Sequence, residues 1–191
     1  MRQFERKKEI IDVCLSIFIK KGLTHTRTRD LCDALNMNSG GVFYYFKTKD
    51  EIILACTEEA AKRMERDLVD AALGSIEDPK KMIEKLWERS TALQPLMKFF
   101  VSVCACTKYE HAIQPILDQL TRRYHQYAQK FAEVFCCECE EIEPYVYITI
   151  NTMFNYMMFG QKSYTEAQLN LIYKVEMALL ERRNQTKTDE Q

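Results

Sequence analysis

Residues 22–49 read GLTHTRTRDLCDALNMNSGGVFYYFKTK. Gly22 follows a run, residues 6–21, in which Ile10, Ile11, Cys14, Leu15 and Phe18 recur at helical spacing. A glycine there closes a helix through a left-handed cap. Thr26 can cap a second, short helix with Asp30 in its first turn and Leu31, Ala34 and Leu35 on its buried side. Asn36 is the turn residue, because asparagine tolerates positive φ better than most. Asn38 caps a third short helix, roughly residues 39–46. Thr48-Lys49-Asp50-Glu51 is a capping box for a long fourth. Two short helices joined by a tight turn, behind a longer one, describe a helix-turn-helix unit. Its packing pattern is met by apolar Leu31, small Cys32 and apolar Leu35, Met37 and Val42. The small residue lets the two helices cross closely, and the turn sets the second at the angle that enters a major groove.

The composition around this stretch agrees with helix. Five glycines and four prolines in 191 residues are too few for the many tight turns of a sheet protein. Hydrophobic residues make up 47%, ample for a core, so an intrinsically disordered or collagen-like chain is excluded. Net charge is −1, but residues 1–49 carry ten Lys/Arg against five Asp/Glu. The basic first quarter on an acidic remainder points to an N-terminal contact with a polyanion. Asp12 interrupts the first apolar run, no stretch reaches membrane-spanning length, and no membrane partner is expected. The eight cysteines then read as small apolar residues of a reduced, cytoplasmic protein.

Beyond residue 50, proline sets the punctuation. Asp78-Pro79 opens a helix to about Leu93, Gln94-Pro95 breaks it, and another runs to roughly Cys106. A long helix follows Thr107-Lys108-Tyr109-Glu110, bent at Pro115, to about Cys137. Glu143-Pro144 starts the next, Gly160 ends it, and Ser163-Tyr164-Thr165-Glu166 caps the last, to about Arg183. The expected fold is all-α: about nine helices, with an N-terminal three-helix head (1–48) on a C-terminal helical bundle (49–184) and a disordered tail (185–191). Only Tyr145–Ile150, alternating β-branched and aromatic residues, competes as a strand.

The stretch 22–49 closely resembles the signature of the tetracycline-repressor (TetR) family. Gly22, Thr26, Asp30, Leu31, Ser39-Gly40, Tyr44, Phe46, Lys49 and Ile52 stand in register with it, over about a quarter of the chain. Asn36 replaces the usual turn glycine, Asn38 the usual Ser or Thr cap, and Phe43 a tyrosine that often meets phosphate. Tyr45 stands where histidine is common, and Gly41 makes a Gly-Gly pair that lets backbone approach DNA closely. Position then assigns roles on a duplex. Thr26, Arg27, Thr28 and Arg29 start the second helix, where free N–H groups and the positive dipole end favour phosphate. Lys47 and Lys49 are further phosphate partners, while Asn38, Ser39, Gly40, Gly41, Tyr44 and Tyr45 would meet base edges.

The resemblance also implies a dimer and an effector. Eleven of the sixteen residues from Tyr145 to Gly160 are Tyr, Val, Ile, Met or Phe, so that helix is buried on more than one side. The last helix carries two apolar stripes, Leu169-Ile172-Tyr173-Leu180 and Leu171-Val175-Ala178, one for the subunit interior and one for a partner. Members of the family usually pair through their last two long helices. The expected interface is Tyr145, Ile148, Thr152, Tyr156, Leu169, Ile172, Tyr173 and Leu180. An apolar ligand pocket is expected among Trp87, Met97, Phe100, Val103, Tyr124, Tyr127, Phe131, Met153, Phe154 and Met157. No buried charge stands out there, which favours a neutral or cationic apolar ligand. Cys104 and Cys106 with Cys136, Cys137 and Cys139 offer a thiol- or metal-sensing alternative, but their spacing matches no standard zinc module, and no metal or cofactor is expected.

These features describe a dimeric repressor that binds a palindromic double-stranded DNA operator and is released by a small apolar effector. An all-helical enzyme is the opposing class. The sequence has no glycine-rich phosphate loop, no H-E-x-x-H and no G-x-S-x-G, so no catalytic residues are expected.

Overall fold

The computed structural model describes residues 2–189. Its elements are α1 (Arg2–Lys21), α2 (Thr28–Leu35), α3 (Ser39–Tyr45), α4 (Lys49–Leu73), α5 (Pro79–Cys104), a 3-10 turn (Thr107–Tyr109), α6 (Glu110–Phe135), α7 (Cys139–Phe159) and α8 (Lys162–Asp189). There is no strand among the described residues, and Tyr145–Ile150 lies inside α7. Burial of Tyr145, Val146 and Thr149 outweighs the local β preference there.

Eight α-helices form where about nine were expected, because Pro95 does not break its helix, and Pro115 likewise lies inside α6. A proline costs one backbone hydrogen bond, about 3 kcal/mol in a helix interior. Burial on both sides of Pro95, at Leu93, Leu96 and Met97, holds α5 continuous. Helix α7 likewise begins before Pro144, at Cys139. At the chain's end α8 continues to Asp189, past the expected stop at Arg183. No glycine or proline follows Gly160, so nothing in the sequence terminates it. Residues 185–189 are therefore helical, and 190–191 lie outside the described residues.

The caps follow the sequence where short polar side chains precede a helix. The Glu51 N–H donates to Thr48 Oγ1 at 3.1 Å, and the Lys81 N–H to Asp78 Oδ1 at 3.1 Å. Ser163 departs from expectation, since α8 starts one residue earlier and the Thr165 hydroxyl donates to the Gln161 carbonyl at 2.8 Å.

The chain divides into two compact units. One takes the chain up to Met64 together with Pro95–Leu117; the other takes Glu65–Gln94 together with the chain from Asp118. The first unit thus gathers more of the chain than the residues of the head, and the reason is packing. Phe18 of α1 stacks on Phe99 of α5 with ring centroids 5.7 Å apart. Arg63 of α4 pairs with Asp12, and the Cys56 thiol donates to the Ile11 carbonyl at 3.6 Å. Asp50 accepts from Lys108 Nζ at 2.8 Å and from the Tyr109 hydroxyl at 2.7 Å. Ile10, Cys14, Leu31, Val42 and Ile52 form a core with no exposure at all. Each large apolar side chain so buried contributes roughly 1.5–3 kcal/mol.

In the second unit α7 and α8 pack on one another. Their inward residues include Ile142, Met153, Met157, Leu169 and Ile172.

Candidate nucleic-acid interface and internal cavity

The entry to α2 is built by a chain of polar contacts. Gly22 adopts φ +83°, which turns the chain at the end of α1. Its carbonyl accepts the Thr26 hydroxyl at 2.8 Å, and the Thr26 carbonyl in turn accepts Lys49 Nζ. Arg27, not Thr26, is the residue that precedes α2. The Asp30 carboxylate reaches back to the Arg27 N–H at 2.6 Å and to Lys21 Nζ at 2.6 Å. The hydrogen bond from Lys21, followed by that from Arg27, holds the Asp30 carboxyl below its ordinary range.

Helix α2 ends at Asn36, φ +50°, with the Met37 N–H on the Cys32 carbonyl at 3.0 Å. Asparagine therefore performs the turn expected of it. Asn38 caps α3 by accepting the Gly41 N–H on Oδ1 at 2.7 Å. That leaves its amide nitrogen as the donor available outward. Val42 and Phe46 are sealed into the head, and Lys7 sits 4.9 Å over the Phe46 ring. Tyr44, one residue before Tyr45, is 72% exposed and meets the Tyr45 ring edge-on at 5.1 Å.

Most residues expected to face DNA are on the surface: Arg27, Arg29, Asn38, Ser39, Gly40, Tyr44 and Lys47 are exposed, while Thr28, Gly41 and Tyr45 are half-buried. Two expectations change. Thr26 is buried with its hydroxyl occupied, and Lys49 spends its ammonium on the Thr26 carbonyl. Both brace the loop that positions α2. Gly41 also has an inward reason: a Cβ there would stand 3.2 Å from Asn38 Oδ1 and from Met37 Cε.

The second unit holds a cavity of about 50 Å³, room for a few waters at roughly 10–15 Å³ each. Its wall comes from α4 (Leu68, Val69, Ala72), α5 (Met82, Leu86), α6 (Tyr127, Phe131) and α7 (Tyr145, Val146, Thr149, Ile150, Met153). Of the expected pocket residues it includes Tyr127, Phe131 and Met153. The others pack elsewhere. Trp87 stacks on Tyr156 at 4.4 Å and Tyr124 meets Tyr147 edge-on at 6.5 Å. Met97, Phe100 and Val103 are core residues of the first unit, Met157 is wholly buried, and Phe154 is half-buried outside the wall. The missed aliphatic residues of α4 and α5 look like any amphipathic stripe, and no local signal marks them as cavity wall.

The second unit does contain buried charge, contrary to expectation. Glu65, 7% exposed, pairs with Arg123 and accepts the Tyr127 hydroxyl at 2.5 Å. Glu176 of α8 is 0% exposed, and burial pushes its carboxyl up to about 7.

The expected dimer residues are also largely internal. Tyr145, Thr152, Tyr156, Leu169, Ile172 and Leu180 are buried within the single chain. Ile148 (52%) and Tyr173 (37%) remain exposed, but the open apolar residues of α8 are Leu171 (59%) and Val175 (39%). Of the two stripes of α8, the one with Leu169, Ile172 and Leu180 packs inside the chain, and Leu171 and Val175 of the other lie open. Their apolar content is alike, so composition could not rank them.

Cys14, Cys32 and Cys56 are buried, and burial pushes the Cys14 thiol up to about 12. Burial followed by Glu141 raises Cys137, and desolvation followed by Glu143 and Glu140 raises Cys139, so both favour the unreactive thiol. No three Cys, His, Asp or Glu side chains converge as a metal site among the described residues. Among those residues, no helix is long and apolar enough to cross a membrane.

Residues 10–56 match the family described as "Bacterial regulatory proteins, tetR family". Over 48 residues the chain is 31% identical to the HTH-type transcriptional repressor KstR2 of Rhodococcus jostii (strain RHA1), covering 25% of this chain and 24% of that one. Over 80 residues it is 30% identical to the HTH-type transcriptional repressor AcnR of Corynebacterium efficiens, covering 39% of this chain and 43% of that one. The chain thus spans about a quarter of one relative and less than half of the other. A crystal structure of a protein described as a transcriptional regulator, from Rhodococcus sp. RHA1, superposes with TM-score 0.64 at 13% identity, over 88% of this chain and 92% of that one. That likeness extends the shared all-helical fold over both units.

Proposed function

From an N-terminal unit that belongs to the tetR family of bacterial regulatory proteins, we propose that this protein is a cytoplasmic transcriptional repressor that binds a palindromic DNA operator as a homodimer and releases it when a small apolar effector binds. The observation that carries this reading is Tyr44. It is 72% exposed on α3, whereas Val42 and Phe46 behind it are 0% and 2% exposed. A large aromatic held outward by a rigid core serves contact rather than stability. Exposed Arg27, Arg29 and Lys47 provide phosphate partners around it.

Dimerisation through the α8 stripe of Leu171 and Val175 brings two heads to the two half-sites of a palindrome. The cavity between α4, α5, α6 and α7 holds the effector. An effector that prefers the DNA-free form lowers operator affinity by the same factor that DNA lowers effector affinity.

The experiment is Tyr44→Ala, measured on a duplex the wild-type protein selects. Affinity should fall by about tenfold, the loss of one or two kcal/mol of base contact, with helicity and Tm unchanged. Undiminished binding would remove Tyr44 from the interface and with it the basis of this assignment.

A further inference from the structure

We propose that Phe4, together with Lys8, extends the DNA contact of each head beyond its half-site, the Phe4 ring entering the minor groove beside the major groove that holds α3. This inference rests on the DNA-binding reading above. It adds a contact that precedes the family match, which begins at residue 10.

The starting point is an aromatic ring held in water. Phe4 is 77% exposed, the most open large apolar residue among those described. The core side of α1 is Ile10, Cys14, Leu15 and Phe18, each at most 1% exposed, and Phe4 is not part of it. A single exposed apolar residue is ordinary on a protein surface; what distinguishes this one is its position.

Three contacts fix where α1 begins. Lys7 Nζ lies 4.9 Å over the ring of Phe46, the residue that ends α3. One turn on, the Ile11 carbonyl accepts the Cys56 thiol at 3.6 Å, and Asp12 pairs with Arg63. Rising numbers on α1 thus meet rising numbers from the end of α3 into α4. The two helices run side by side, in the same direction, away from the exit of α3. Three residues back from Lys7, about 4.5 Å along the axis, α1 passes that exit on the other side and presents Phe4.

The face presented there is apolar and cationic. Phe4, Lys7, Lys8 and Ile11 follow one another at i, i+3, i+4 and i+7, and the first three are exposed. The acidic residues of the same turns, Glu5, Glu9 and Asp12, occupy a different face. There Glu9 accepts Arg6 at 2.6 Å and Asp12 takes Arg63. The edge of α1 beside α3 therefore carries a ring and two ammonium groups without a carboxylate. A polyanion suits that edge. A second copy of the same edge would bring like charges together.

The duplex offers a seat for each part. The seven residues of α3 make a helix about 10 Å long, and a major groove is about 12 Å wide. With α3 in the groove, the start of α1 stands at its border, where a phosphate ridge separates it from the minor groove. Lys8 suits the ridge. The ring suits the minor groove, where apolar side chains wedge against base steps.

The test uses the full-length protein and duplexes built on the palindrome it selects, ending at the half-sites or extended by about one helical turn at each end. Wild type should bind the extended duplex at least about tenfold more tightly, with one ring acting at each end. Phe4→Ala should lose at least about fivefold on the extended duplex and nothing on the short one, with Tm unchanged because the ring is exposed. Lys8→Gln should lower the slope of log affinity against log salt on the extended duplex by about one for each half-site. Changing the flanks from A·T to G·C, whose amino group projects into the minor groove, should remove the Phe4 effect. No advantage of the extended duplex, equal losses on both duplexes, or a Phe4 effect indifferent to the flanking base pairs would overturn the proposal. So would a Phe4→Ala variant whose sole change is weaker self-association in sedimentation, which would make a second copy of the chain the partner of the ring. Selection of a palindrome that Phe4→Ala binds as tightly as wild type sinks this contact alone. Failure to select any duplex sinks the operator reading and this contact with it.

Discussion

Arg123→Met is expected to lower the unfolding free energy by about 3 kcal/mol, the low end of what breaking a buried pair costs. Glu65 is the partner left behind, with a side chain 4% exposed. Methionine replaces the apolar stem of arginine but leaves that carboxylate without a cation. The low end applies because the Arg123 side chain is still 32% exposed, so water already screens part of the interaction. The Tyr127 hydroxyl continues to donate to Glu65 but brings no charge. Pairing the change with Glu65→Gln should recover most of the loss, since the charge and its partner then disappear together. Urea denaturation of the two variants measures both values. A single variant as stable as the wild type would mean that Glu65 is satisfied by something other than Arg123.

The second large effect concerns assembly. Leu171→Asp combined with Val175→Asp places two carboxylates on the exposed stripe of α8, at i and i+4 on one face. Sedimentation should then report a monomer with unchanged helicity. Operator affinity should fall by roughly a hundredfold or more, because two linked heads gain that much from effective concentration. The matching change on the inner stripe, at Leu169 and Ile172, should instead unfold the chain, as both are buried within it. A dimer that survives the Leu171/Val175 change would place the interface on another surface.

The head was almost fully legible in the sequence because its constraints are local. A turn needing positive φ, a cap three residues before a backbone N–H and a small residue at a helix crossing each leave a mark at fixed spacing. Asn36, Asn38 and Cys32 carried those marks and stand where they were expected. Thr26 departs from its expected place because one threonine can cap a helix or donate backwards to a carbonyl. The Gly22 carbonyl decided between them.

The body was less legible, since its choices are made between elements distant in the chain. Proline 95 reads locally as a break, yet α5 continues through it with Leu93, Leu96 and Met97 buried on either side. Two apolar stripes on α8 looked alike until packing against α7 selected one. Glu176 gave no sequence signal at all, as one acidic residue in a helix rich in polar residues is ordinarily solvated. Its burial, and the cavity residues of α4 and α5, emerge only from the assembled unit.

In the proposed function α3 reads a specific, two-fold symmetric DNA sequence. Selection of duplexes from a randomised pool by the full-length protein tests it most directly. The expected result is recovery of a palindrome whose two half-sites are about one helical turn or a small multiple apart. Its affinity should fall steeply with salt as the phosphate contacts release counterions. Retention of the pool without enrichment of any sequence, with salt dependence alone, would contradict it.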